Sequence, residues 1–185
     1  MNRMFLIKTH MYLAAFIFPV ALMFLITGGL YTWEIKGSYI SQPYIISLQS
    51  PLTKNLKELQ ALTEQELEIL GVPFPSGSAK IKKGGTSFKF EWTGSARDVV
   101  LEPTSDRLAA KLIIKETTWY RQFVQLHKAK GGQLFKIYAA ILALALFAIL
   151  LTGFVMAWQI PKYRRSVISF TVAGIVFFVL MIGAS

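Results

Sequence analysis

The stretch LLTGFVMAW, residues 150–158, decides how this chain is read, because the chain has already used its pattern once. Thr152-Gly153, with Trp158 six positions after the threonine, repeats Thr27-Gly28 with Trp33 inside ITGGLYTW. Both copies close a long apolar run, so the repeat marks the ends of two like elements and asks what one small protein does with two such endings.

Working outward, the chain has 185 residues, 54% of them hydrophobic, and a formal net charge of +10. Its mean hydropathy is +0.47 and its pI is near 9.9, a balance few soluble domains show. Met11 to Trp33 carries no charged residue over 23 positions, Ile137 to Trp158 none over 22, and Ser166 to Ser185 none over 20. At about 1.5 Å of rise per residue, each run spans roughly the 30 Å hydrocarbon core of a bilayer. The expected fold is an α-helical membrane protein with transmembrane helices at 11–33, 137–158 and 166–185, a short N-terminal segment at 1–10 and a link at 159–165.

The basic start and apolar run at the N-terminus raise the question of a cleaved signal peptide. The run is too long for one, and Glu34-Ile35-Lys36 follows Trp33 where a small-residue cleavage site would stand, so an uncleaved anchor is expected. The absence of cysteine excludes disulfides and thiolate metal or iron–sulfur sites.

All ten acidic residues fall between Glu34 and Glu116. The membrane runs therefore hold no carboxylate, which removes the usual ligands of cation transporters and the usual relays of proton pumps. The basic residues are dispersed, with no nucleic-acid-binding module to present them, so nucleic acid is excluded as a partner and the lipid bilayer is the expected one. Arg3 and Lys8 precede the first run, and Lys162, Arg164 and Arg165 lie in the short link. The positive-inside rule puts both in the cytoplasm. Lys128, Lys130 and Lys136 argue the other way, but a long loop crosses largely regardless of its charge. The expected location is a bacterial inner membrane, multi-pass, with the N-terminus cytoplasmic and the loop periplasmic.

Residues 34–117 read as a periplasmic α+β domain. Leu56, Leu59, Leu62, Leu67 and Leu70 approximate a helical stripe, with Thr63 and Glu66 in a capping-box spacing that would restart the helix. Ala79 to Lys83, a turn at Gly84-Gly85, the alternating Phe88-Lys89-Phe90-Glu91-Trp92, then Val99 to Glu102 and Leu108 to Lys115 supply four strands. Residues 118–136 follow as a juxtamembrane amphipathic segment, a helix from Thr118 through His127 broken near Gly131-Gly132. Tyr120, Phe123, Val124 and His127 share one of its faces, as in interfacial helices.

The two histidines complete the repeat: His10 before the first run and His127 before the second. Successive helices cross in opposite directions, so the copies form an inverted repeat. That would place His10 with Gly153 and Trp158 near one membrane face, and His127 with Gly28 and Trp33 near the other. Each element has an ordinary reading as well: tryptophan as belt residue, glycine as helix-packing residue, histidine as interfacial residue. The spacing is also unequal, 17 positions from His10 to Thr27 and 25 from His127 to Thr152, which puts His127 outside the hydrocarbon if its helix runs straight. Axial ligation of haem is the chemistry that needs imidazole and glycine-sized clearance without carboxylates. Histidines on opposite faces would be paired by a twofold homodimer.

Around His10 and Thr27-Gly28, and around LHKAKGGQLFK with LLTGFVMAW, the chain resembles the PepSY-associated transmembrane family, in which such helices flank a periplasmic helix-plus-strands PepSY module. The resemblance covers nearly the whole chain. It implies haem b held by His10 and His127 as axial ligands, with Gly28 and Gly153 as pocket clearance. It further implies an oxidoreductase that reduces periplasmic ferric iron, free or chelated, for ferrous uptake, with electrons from a cytoplasmic-side or quinol donor. No Gly-rich dinucleotide fingerprint is present, and no catalytic residue is assigned. Glu64, Glu66 and Glu68 read as a solvated helix face. The alternatives are a non-catalytic accessory subunit whose PepSY-like domain binds or regulates a partner protein, and a structural protein that organises lipid.

Overall fold

The computed structural model of the chain describes residues 3–84 and 87–185; of the turn expected at Gly84-Gly85, Gly84 ends a strand and Gly85 lies outside the described residues. Among the described residues three helices are long and apolar enough to cross a membrane: α1, Arg3–Thr32; α4, Gln133–Trp158; and α5, Arg164–Ala184. Mean hydropathy over their best windows is 2.3, 2.6 and 2.5. The protein is thus a multi-pass α-helical membrane protein with an α+β domain inserted between its first and second transmembrane helices. The helices begin at Arg3, Gln133 and Arg164 rather than at 11, 137 and 166, because charge bounds the apolar run while the helix continues through charged turns.

Two compact units divide the chain, one holding the residues up to Ala21 with Ala139–Ser185, the other Leu22–Tyr138. In the first, the shielded positions of α1 fall on a helical stripe of Leu6, His10, Leu13, Ile17 and Val20. Those of α4 run through Leu142, Ala145, Ile149, Thr152 and Met156. Spacings of three and four keep each set on one face, as in a packed helix pair. A 3-10 turn, Pro161–Tyr163, leads into α5, none of whose residues is buried within the chain.

The second unit is built on one antiparallel sheet of order β1-β5-β4-β3-β2. Its strands are β1, Tyr39–Ser47; β2, Ala79–Gly84; β3, Ser87–Thr93; β4, Arg97–Pro103; and β5, Ala109–Thr117. The four expected strands form the meander β2 to β5. β1 was not expected: Pro43 breaks its pattern and only Ile46 is buried, which is how an edge strand reads. It pairs with β5 alone, Tyr39 opposite Thr117 and Ser47 opposite Ala109.

One face of the sheet carries the core, where Phe90, Val99, Leu101, Leu112 and Ile114 meet Leu59 and Leu67 of α2, Leu56–Ile69. The helix is continuous. Asn55 caps it by accepting from the Lys57 amide at 3.1 Å, while Thr63 is wholly buried and turns its hydroxyl onto the Leu59 carbonyl at 2.7 Å. The expected restart at Thr63 is therefore wrong, because a threonine facing the core satisfies its hydroxyl on the preceding turn rather than capping a new one. On the opposite face Asp98 meets α3, Trp119–His127.

Candidate functional site

Both histidines sit against a Thr-Gly pair, and in both cases it is the pair from the other copy of the repeat. In the first unit His10 Nδ1 lies 3.0 Å from the Thr152 hydroxyl. In the second, His127 Nδ1 lies 2.9 Å from the Thr27 hydroxyl. The crossed pairing expected from an inverted repeat is what each unit contains.

The direction of these two bonds follows from counting hydrogens. A threonine hydroxyl has one hydrogen to give. Thr152 is placed to give its hydrogen to the Ala148 carbonyl at 2.7 Å, and Thr27 to the Met23 carbonyl at 2.7 Å. Each oxygen then accepts, so the imidazole in its neutral form carries its proton on Nδ1 and bares the Nε2 lone pair. Among the described residues neither Nε2 has a hydrogen-bond partner. This is the arrangement by which a histidine is oriented for metal ligation, one nitrogen held and the other free.

The glycines explain how the rings come so close. A Cβ built on Gly28 would stand 3.0 Å from His127 Cε1, and one on Gly153 would stand 3.4 Å from His10 Cε1. The clearance expected for a macrocycle is, in this geometry, clearance that seats the imidazole itself. Phe24, one turn before Gly28, covers His127 with ring centroids 4.9 Å apart. The tryptophans of the repeat take no part: Trp158 stacks on Phe154, and Trp33 is 81% exposed.

The unequal spacing is resolved by the break after α3. His127 is the last residue of that helix and does not belong to α4. Ala129 takes the left-handed conformation, φ 56°, and the Ala129 and Lys130 amides bond back to Leu126 and Gln125 at 3.0 Å each. The chain turns before Gln133 starts α4, so His127 reaches the end of α1. His127 is therefore not carried along a straight α4, as the unequal spacing had suggested.

What holds α3 is a polar cluster that the sequence reading did not find. Tyr39 donates to Asp98 at 2.8 Å, Gln125 donates to Tyr39 at 2.8 Å and to Asp98 at 3.1 Å, and Lys130 reaches Asp98 at 3.1 Å. Arg121 donates to the Lys36 carbonyl at 3.0 Å and to Tyr39 at 3.1 Å, its guanidinium lying over the tyrosine ring. Burial pushes the Tyr39 phenol up to about 12 against the pull of Arg121, with Asp98 adding to the rise. Gly37, φ 69°, lets the chain pass within contact of the Arg121 backbone. Buried Val124 and Gln125 thus face the sheet, and the expected face of Tyr120, Phe123, Val124 and His127 is split. The available signal was Asp98, a carboxylate directly before the apolar run Val99 to Leu101.

Compared with known proteins, the chain matches the PepSY-associated TM region over residues 7–180. The chain belongs to the PepSY-associated transmembrane family. No curated protein and no solved structure matches it.

The match spans both histidines and both Thr-Gly pairs, so the haem that the family resemblance implies can be tested against this donor set. Among the described residues no group of three or more His, Cys, Asp or Glu could hold a bare metal ion. Haem brings four nitrogens of its own and asks the protein for one or two more. Each imidazole, held at Nδ1 and free at Nε2, offers one such nitrogen within its own unit.

Proposed function

We propose that this PepSY-associated membrane protein is an inner-membrane b-type haem protein that passes electrons across the bilayer to reduce periplasmic Fe(III) to Fe(II) for iron uptake. The observation that carries the reading is the pair of threonine-held histidines with free Nε2 atoms. His10 and His127 would each give an axial nitrogen, and the bound haem would supply one-electron redox chemistry. Thr152 and Thr27 hold the imidazole protons on Nδ1, Gly153 and Gly28 let the rings lie against the neighbouring helix, and Phe24 shields one of them. The sheet domain stands in the periplasm on this reading, electrons come from a cytoplasmic-side or quinol donor, and the chain works as a homodimer.

An optical spectrum of the detergent-purified protein, oxidised and then dithionite-reduced, with a pyridine haemochrome assay, tests the reading. A Soret band with sharp reduced b-type bands is expected, with His10→Ala and His127→Ala each losing part of the haem while staying folded. Full haem in both variants overturns the ligand assignment. A colourless protein from haem-replete cells overturns the function and favours a non-catalytic subunit whose PepSY-like domain binds a partner.

A further inference from the structure

One cleft of the second unit is not used by either histidine seat. It has a volume of about 360 Å³, within the range of small-molecule sites, and its wall is charged. Lys80 and Lys82 enter from β2, and Lys128, Lys130 and Lys136 from the turn between α3 and α4 and the start of α4. Lys82 is paired with Glu91, and Lys130 with Asp98. Lys80, Lys128 and Lys136 have no carboxylate partner among the described residues, and Lys128 instead rests its ammonium 3.3 Å from the Tyr31 hydroxyl. Three cations thus line the cleft with no carboxylate of their own, Glu91 being taken up by Lys82. The turn that carries Lys128 and Lys130 is held fast: a Cβ on Gly77 would run into the Thr93 carbonyl and come within 3.1 Å of the Lys130 carbonyl, so only glycine lets that turn lie against the sheet.

From this we infer that the lysine cleft, which begins at the residue after His127, binds Fe(III) presented as an anionic, carboxylate-rich chelate. The inference rests on the ferric-reductase reading and names the substrate class for it. Fe(III) is a hard cation whose oxygen ligands are anionic, and a polycarboxylate complex carries the negative charge that three free ammonium groups match. Lysine is a compact point charge with freely turning donors, suited to flexible carboxylates in several orientations. The rest of the lining is Glu91, whose charge Lys82 takes up, with glycine, serine, threonine and alanine. It offers no aromatic ring to stack on a catecholate and no apolar groove for acyl chains, which separates this cleft from a lipid headgroup site.

Gallium(III) citrate, a chelate that takes no electron, is the probe. Titrated calorimetrically into the full-length protein in zwitterionic nanodiscs, it should bind with an affinity that falls as salt rises. Lys80→Glu with Lys136→Glu should weaken binding at least tenfold, and Lys80→Gln with Lys136→Gln by a smaller factor. A matched thermal midpoint shows that each variant has folded. Because gallium is not reduced, the result stands whether or not the protein proves to carry haem. Equal affinity in wild type and both double variants overturns the inference, as does absence of binding to wild type. Capture of phosphatidylglycerol vesicles by wild type and not by the variants, with no gallium citrate bound, also overturns it and makes the cleft a lipid site.

Discussion

Removing one hydroxyl tests the histidine geometry first in the haem-free protein and then through the proposed ligation. Thr152→Val keeps the β-branched shape and deletes the acceptor that stands 3.0 Å from His10 Nδ1. A neutral hydrogen bond of this kind is worth about 1 kcal/mol net, about a fivefold bias between the two imidazole tautomers. In the variant the Nδ1–H form should lose that bias, and the fraction of rings offering a bare Nε2 should fall accordingly. Loss of an outer-shell partner of a metal-ligating histidine typically costs about 10- to 100-fold in affinity, so on the proposed haem reading haem binding should weaken by about fivefold at least and 100-fold at most. The tautomer is read by nitrogen NMR of histidine-labelled, haem-free protein in detergent, and the affinity by haem titration. Thr152→Ser restores the hydroxyl and should restore both. Thr27→Val and Thr27→Ser should act in the same way on His127, whose bond is 2.9 Å. An Nε2–H tautomer already dominant in the wild type refutes the hydrogen count. A serine variant that behaves like the valine variant shows that the threonine acts through its methyl packing instead.

The two glycines should respond unequally: Gly28→Ala puts a methyl 3.0 Å from His127 and must move the ring, whereas Gly153→Ala meets His10 at an ordinary 3.4 Å, so only the first should broaden or shift its histidine resonances. Asp98→Ala strands Lys130, Gln125 and Tyr39 together and should cost the sheet domain about 3 kcal/mol in denaturant unfolding, with His127 losing its bond to Thr27 and His10 unaffected. Tyr39 has a folded pKa raised from 10.0 to about 12, so its contribution to stability is complete below pH 10 and is lost as pH rises through 12; Tyr39→Phe should flatten the stability profile over that window. Leu67→Ala, at a wholly buried position, should destabilise the domain by about 2–5 kcal/mol in the same measurement.

How much of this was legible in the sequence depends on the range of the interaction involved. Charge-free runs announced the three membrane helices, since no shorter apolar stretch satisfies a bilayer. Alternation at Phe88 to Trp92 announced β3, because one buried face imposes a period of two on its own residues. The Thr-Gly repeat announced which residues meet, because an inverted repeat of helices brings each start beside the other's end. β1 stayed hidden since an edge strand with one buried side chain imposes almost no pattern. The Asp98 cluster stayed hidden for a different reason. Its members, Tyr39, Asp98, Arg121, Gln125 and Lys130, are scattered over 92 positions and meet only after strand pairing and the docking of α3.

That cluster makes the two histidine seats unlike in origin although alike in geometry. His10 is fixed by its own transmembrane helix, and its partner threonine lies on another, so a helix pair alone sets the site in the first unit. His127 rides on a nine-residue helix, too short to be stable by itself in water. Its position is inherited from the sheet through Gln125 and Arg121, and from the left-handed Ala129 that turns the chain away from α4. The insertion of an α+β domain between two membrane helices therefore has a structural purpose at this site. It replaces the direct helical connection that the first copy of the repeat enjoys, and it delivers a histidine to the end of α1 that a straight α4 would have carried away from Thr27.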